Sequence, residues 1–147
     1  MLVSEINPTA AEIAARYGME PFDAYENENG ERYPVYSLDT ENGEKFALVG
    51  FTPSGPHFVQ VFENDGTAQE FPFWGNPARL CEYAAELLGV LVYHVTIDGS
   101  DFKTTSSGLC ARVIAENVRN LATRINSPAV VEVFALNTET GETWRAE

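Results

Sequence analysis

Cysteine and histidine are scarce in this chain, with two of each among 147 residues. Cys81 and Cys110 lack C-x-x-C spacing, and His57 and His94 belong to no H-E-x-x-H or Cys/His cluster, so redox, zinc and disulfide-scaffold readings fall away and no metal or cofactor is expected. Both cysteines fall on apolar helix faces and are expected to be buried free thiols. Basic residues are also few: 9 Lys plus Arg stand against 22 Asp plus Glu, which gives a net charge of -13. Such a balance disfavours direct binding to nucleic acid phosphates or anionic lipid headgroups. Long apolar runs are missing too. The longest, residues 87–95, is interrupted by Gly89 and His94 and is too short to cross a bilayer. Residues 1–7 hold no basic run and no signal-peptide core, so a soluble, cytoplasmic protein is expected.

What remains is ordinary globular composition, 44% hydrophobic and 21% charged, on a chain long enough to bury a sizeable core. Thr9-Ala10-Ala11-Glu12 reads as a capping box for a helix over 9–17 that Gly18 stops. β-rich runs follow at 33–38, 46–52, 58–62 and 70–73, separated by turn residues, and predict a four-stranded antiparallel meander. Asn76-Pro77 starts a second helix, with Leu80, Ala84, Leu87 and Leu88 at helical spacing until Gly89. Residues 90–97 read as a buried strand and 98–105 as a polar loop. Ser106 or Ser107 then caps a third helix whose stripe of Leu109, Cys110, Val113, Ile114, Val118, Leu121 and Ile125 is expected to cover a sheet. A closing hairpin spans 130–136 and 142–145. The order αββββαβαββ, with no linker, predicts one α+β domain over 1–147: an antiparallel sheet packed against two main helices.

Three segments share a form: Glu28-Asn29-Gly30-Glu31, Glu41-Asn42-Gly43-Glu44 and Glu139-Thr140-Gly141-Glu142, each followed two residues later by an aromatic. Glycine at such a position supplies the positive φ of a tight turn. Turn geometry does not require the flanking carboxylates. Nor do these turns read as EF-hand loops, because Gly30 at the invariant position would make Tyr25 the first ligand and Tyr36 the last. The charge is uneven: residues 1–73 carry 13 acidic and 3 basic residues, net -10, whereas 74–147 carry 9 and 6, net -3. Carboxylates on rigid turn tips project a field over about 8 Å in physiological salt and speed encounter with a basic partner.

Two function classes follow. The first is a non-enzymatic binding or inhibitory protein whose acidic surface (Asp23, Glu26, Glu28, Glu31, Asp39, Glu41, Glu44, Asp65, Glu139 and Glu142) engages a basic, nucleic-acid-handling protein. In charge and size alone it resembles anti-restriction and anti-CRISPR proteins of phages and plasmids, which implies a nucleic-acid mimic. The second is a small-molecule-binding protein or cysteine hydrolase using Cys81, His94 and the 98–108 loop. Helix 109–125 adds a further feature. Over the stretch 103–124 Lys103, Arg112, Arg119 and Arg124 outweigh Glu116, which reads either as a solvated face with an Arg112–Glu116 pair or as a homodimer contact through the helix.

Overall fold

Asn7 opens the first long helix: its side-chain oxygen accepts the Ala10 N–H at 3.1 Å, and Pro8 fills the first helical position. The cap therefore lies two residues before the expected Thr9 box. The computed structural model describes residues 2–40 and 45–146. These form two units, residues 1–88 and 89–147, within an α+β fold whose strand pairs all run antiparallel.

The first unit begins with α1 (Val3–Ile6) and α2 (Pro8–Arg16), followed by β1 (Glu20–Glu26), β2 (Arg32–Asp39), β3 (Phe46–Gly50), β4 (His57–Phe62) and β5 (Ala68–Phe73). The five strands pair in sequence order, so the meander has one strand more than the sequence predicts. The extra strand is β1, an edge strand exposed along almost its whole length. With one side unpaired and no core to alternate against, its sequence carries no period-two signal. A bulge between Pro21 and Asp23 and the proline itself blunt that edge.

Register assigns the two faces. Tyr36, Val49, Val59 and Phe71 form one cross-strand row, and Leu38, Ala47 and Val61 another, on the core face. Helix α3 (Pro77–Leu88), capped by the Asn76 side chain on the Arg79 N–H at 2.9 Å, packs on β3 and β4 and buries Leu80, Cys81, Ala84, Ala85 and Leu88. Tyr83 adds ring contacts with Phe71 and Phe73. Gly89 stops the helix with φ +73°.

In the second unit, β6 (Leu91–Ile97), β7 (Ser100–Thr105), α4 (Gly108–Arg124), β8 (Val131–Asn137) and β9 (Thr143–Arg145) build a separate four-stranded sheet of order β7-β6-β8-β9. The expected polar loop at 98–105 is mostly strand β7. Asp98 and Gly99, both at positive φ, make the two-residue hairpin turn into it, and Asp98 is pinned by the Val130 N–H at 2.8 Å. Ser107 caps α4 on the Cys110 N–H. Of the apolar stripe predicted to cover the sheet, only Ile114 and Val118 are half-buried, and the rest does not cover it. Gly108, Ala111 and Ala115 are the buried residues of α4, and Leu109, Cys110, Val113, Leu121 and Ile125 are exposed. Small residues suit a helix lying close on β6, β7 and β8. Arg112 and Arg119 donate to the carbonyls of Ala146 and Val131, and Glu116 takes no part in an Arg112–Glu116 pair among the described residues.

Candidate acidic and aromatic interface

The connection between β1 and β2 is built around Asn27. Its side-chain oxygen accepts the N–H groups of Asn29 at 3.0 Å and Glu31 at 2.9 Å, and its backbone N–H donates to the Glu31 carbonyl. Gly30, at φ +77°, completes a turn closed by a glycine bulge. The same backbone pattern recurs between β4 and β5, where Glu63 pairs with Thr67 and Gly66 has φ +87°. Hairpin geometry therefore explains the spacing of the glycine turns whether or not glutamates flank them.

Chemistry on top of that geometry sets the first turn apart. Glu31 accepts the Asn27 amide at 3.0 Å and, across 23 positions of sequence, the Ser54 hydroxyl at 2.9 Å. These hydrogen bonds, Asn27 foremost and then Ser54, hold its carboxylate below the usual glutamate range. They also tie the β1–β2 turn to the β3–β4 loop. Between the two lies an open cleft of about 590 Å³, lined by Glu26, Asn27, Glu28, Asn29, Thr52, Ser54, Gly55 and Pro56. The Thr52 hydroxyl, bonded to the Pro56 carbonyl at 2.7 Å, steadies the far wall.

Beside this cleft, on the sheet face away from Tyr36, Val49 and Val59, the register lines up Tyr25 with Tyr33, then Asp23 with Val35, Gly50, Phe58 and Pro72. Tyr25 meets Tyr33 edge-on at 6.2 Å, and Tyr33 meets Phe58 at 6.0 Å. Phe58 reaches across β3 because Gly50 has no side chain: a Cβ there would stand 2.1 Å from the ring. Burial, then the nearby Tyr25 and Glu70, raise the Tyr33 hydroxyl above its ordinary value. Further along the same face Phe46 stacks on Phe62 at 4.6 Å. The result is a row of aromatic rings bordered by carboxylates.

The ten acidic positions singled out in the sequence divide by topology. Glu26 and Glu28 line the cleft and Glu31 bonds to its Asn27 and Ser54, with Asp23 on the adjoining edge strand. Asp39 and Asp65 belong to the other end of the five-stranded sheet, because successive hairpins of a meander turn at alternate ends. At roughly 3.3 Å per residue along eight-residue β2, the two ends lie about 25 Å apart. Asp65 is held by the Thr67 hydroxyl and N–H, which lower its pKa. Glu139 and Glu142 are exposed in the β8–β9 turn of the second unit, and Glu41 and Glu44 fall outside the described residues. Among the described residues, none of these acids forms a salt bridge, although Glu26 stands opposite Arg32 in the register. Lys45 pairs instead with Glu63 at 3.5 Å.

Sequence reasoning noted Tyr33 only as the aromatic after the first glycine turn and missed Tyr25, Phe58, Asn27 and Ser54 as site residues. The available signal was Asp23 and Tyr25 two apart, hence on one face of a strand, but recognising it required β1 to be read as a strand.

The groups considered for catalysis are placed differently. Cys81 is wholly buried, and burial pushes its thiol up to about 12, against any nucleophilic use near neutral pH. Cys110, expected to be buried, is exposed because α4 turns its alanines inward. His94 on β6 faces Thr104 at 3.5 Å and Asp101 at 3.6 Å, both on the neighbouring strand β7. Among the described residues no group of three or more His, Cys, Asp or Glu is arranged to hold a metal, and no helix is long and apolar enough to cross a membrane. Compared with protein families, curated proteins and solved structures, the chain matches none.

Proposed function

We propose that this chain is a non-enzymatic binding or inhibitory protein whose acidic surface engages a basic protein that handles nucleic acid. One observation carries the reading: Asp23, Glu26, Glu28 and Glu31, unneutralised by any described base, sit on a braced turn and edge strand beside the Tyr25–Tyr33–Phe58 row. Carboxylates accept paired hydrogen bonds from guanidinium groups, and aromatic faces attract the same cations. A groove built to take phosphates and bases presents such cations, so rings and carboxylates at this surface stand in for bases and backbone. The reading places the protein in the cytoplasm, acting as anti-restriction or anti-CRISPR proteins do.

Pre-organisation supports it further. Glu31 and Ser54 lock the turn before any partner arrives, so little ordering entropy is lost on binding. The test is a pull-down from nuclease-treated lysate at low and high salt, with the four carboxylates reversed to lysine in a control. Capture of a basic protein that weakens with salt, competes with DNA or RNA and fails in the control supports the reading. Capture indifferent to salt and to the four reversals refutes it.

A further inference from the structure

An asparagine side chain is open to attack on its amide carbon by the backbone nitrogen of the next residue, and a glycine there puts no side chain in the way. The fold decides which asparagines meet that condition. Asn7 and Asn76 precede proline, which has no N–H to ionise. Asn117 and Asn120 lie inside α4, where helical bonding holds the following N–H. After Asn126 and Asn137, the Ser127 and Thr138 N–H groups are bonded at 2.8 Å. Asn27 and Asn64 precede Glu28 and Asp65, whose side chains crowd the attacking nitrogen. Among the described residues that leaves Asn29. It and Gly30 are exposed at the tip of the β1–β2 turn, and nothing lies within 4 Å of where a Gly30 Cβ would stand. The Gly30 N–H donates to the Asn27 carbonyl at 3.1 Å, but an exposed bond of this kind nets so little that opening it slows the attack about tenfold at most.

We propose that Asn29 is a self-modifying site, at which the chain converts its own side-chain amide into a carboxylate. The Gly30 nitrogen gives its proton to hydroxide and bonds to Asn29 Cγ; the bond from Cγ to the amide nitrogen breaks, and that nitrogen leaves as ammonia. Water then adds to either carbonyl of the resulting cyclic imide and opens it to an aspartyl or isoaspartyl residue. Water in and ammonia out balance the change, and nothing is oxidised or reduced. Each product acts on the cleft that Asn29 lines. A carboxylate at position 29 removes a donor that Glu31 accepts and sets a like charge beside it. The isoaspartyl form also adds a methylene to the main chain, between the N–H groups of Asn29 and Glu31 that the Asn27 side chain holds together. Both products loosen the Glu31–Ser54 tie between the two loops while adding a negative charge. This is chemistry of the turn itself and stands whatever the acidic surface binds.

The test follows the full chain with time in neutral and mildly alkaline buffer, by intact mass and by peptide mapping. A gain of about one mass unit is expected, faster with more hydroxide and located at Asn29 as a mixture of aspartyl and isoaspartyl forms. Its rate falls no more than about tenfold below that of the same chain in urea. Asn29→Gln, whose longer side chain must close a larger ring, loses the signal at that position. Asn29→Asp, a homogeneous form of one product, reports the effect on the cleft: the Glu31 carboxyl titrates higher by NMR, and the Glu31 backbone N–H exchanges severalfold faster. Three results overturn the site: Asn29 unmodified in the folded chain while the unfolded chain reacts, modification confined to Asn42 of the Asn42-Gly43 pair, or a mass gain spread evenly over the asparagines. Titration and exchange of Glu31 left unchanged by Asn29→Asp overturn its effect on the cleft.

Discussion

Replacing Gly50 by alanine tests how the aromatic row is held. The backbone at Gly50 is not left-handed, so the substitution adds a methyl group and little else. That carbon would lie 2.1, 2.5 and 2.6 Å from Cε1, Cζ and Cδ1 of Phe58. Carbon contacts prefer about 3.5–4.0 Å, so the ring must move by roughly 1.5 Å. Overpacking of this kind costs about 1–3 kcal/mol, within which lies the edge-on contact with Tyr33, worth about 0.5–1.5 kcal/mol. Alanine in a strand recovers about 0.5–1 kcal/mol relative to glycine. A net loss of about 1–2 kcal/mol is expected. In a Phe58→Ala background nothing remains to collide, and Gly50→Ala should stabilise by about 0.5–1 kcal/mol. Urea denaturation of all four chains, compared at constant slope, gives the coupling energy, expected near 2 kcal/mol. Equal cost of Gly50→Ala in both backgrounds would refute the idea that an absent side chain is what admits the ring.

Other consequences can be checked as directly. The Tyr36 hydroxyl is buried without a hydrogen-bond partner among the described residues, so Tyr36→Phe should leave denaturation unchanged or raise stability by up to about 1 kcal/mol; a loss of that size would reveal a missing partner. Iodoacetamide on the native chain should modify Cys110 and spare Cys81, whose thiol is both buried and raised to about 12. Native labelling of Cys81 in a mass spectrum would contradict that, and would revive a thiol enzyme. Glu31 titrates lower in the folded chain than its ordinary value of 4.5, so its contribution to stability is complete above that pH and lost as pH falls through the folded value. The stabilities of Glu31→Gln and the parent should therefore begin to approach one another as pH falls below about 4.5 and meet only below the folded value, and a constant difference between them down to acid would show that the carboxylate charge is not what the turn uses.

Local chemistry was legible from residue order alone wherever a few neighbouring residues decide it. Asn76-Pro77 and the spacing of Leu80, Ala84 and Leu88 predict α3, the β-rich runs 46–52 and 58–62 predict β3 and β4, and the glycine turns announce their hairpins. The α+β class follows from such signals, since each depends on a cap, a period or a positive φ. What residue order could not provide was anything set by contacts between distant segments. β1 and β7 pair through backbone groups while their side chains stay mostly in solvent, so neither imprints a hydrophobic period. Ala111 and Ala115 take the sheet side of α4 because close approach of helix and sheet admits only small residues there, and a count of apolar character favours the leucines instead. For the acidic residues, sequence determined their number and their turns. Tertiary structure decided their grouping: strand lengths and alternating hairpins send Asp39 and Asp65 to one end of the sheet and leave Glu26, Glu28 and Glu31 at the other, beside rings that meet only because Gly50 lies between them.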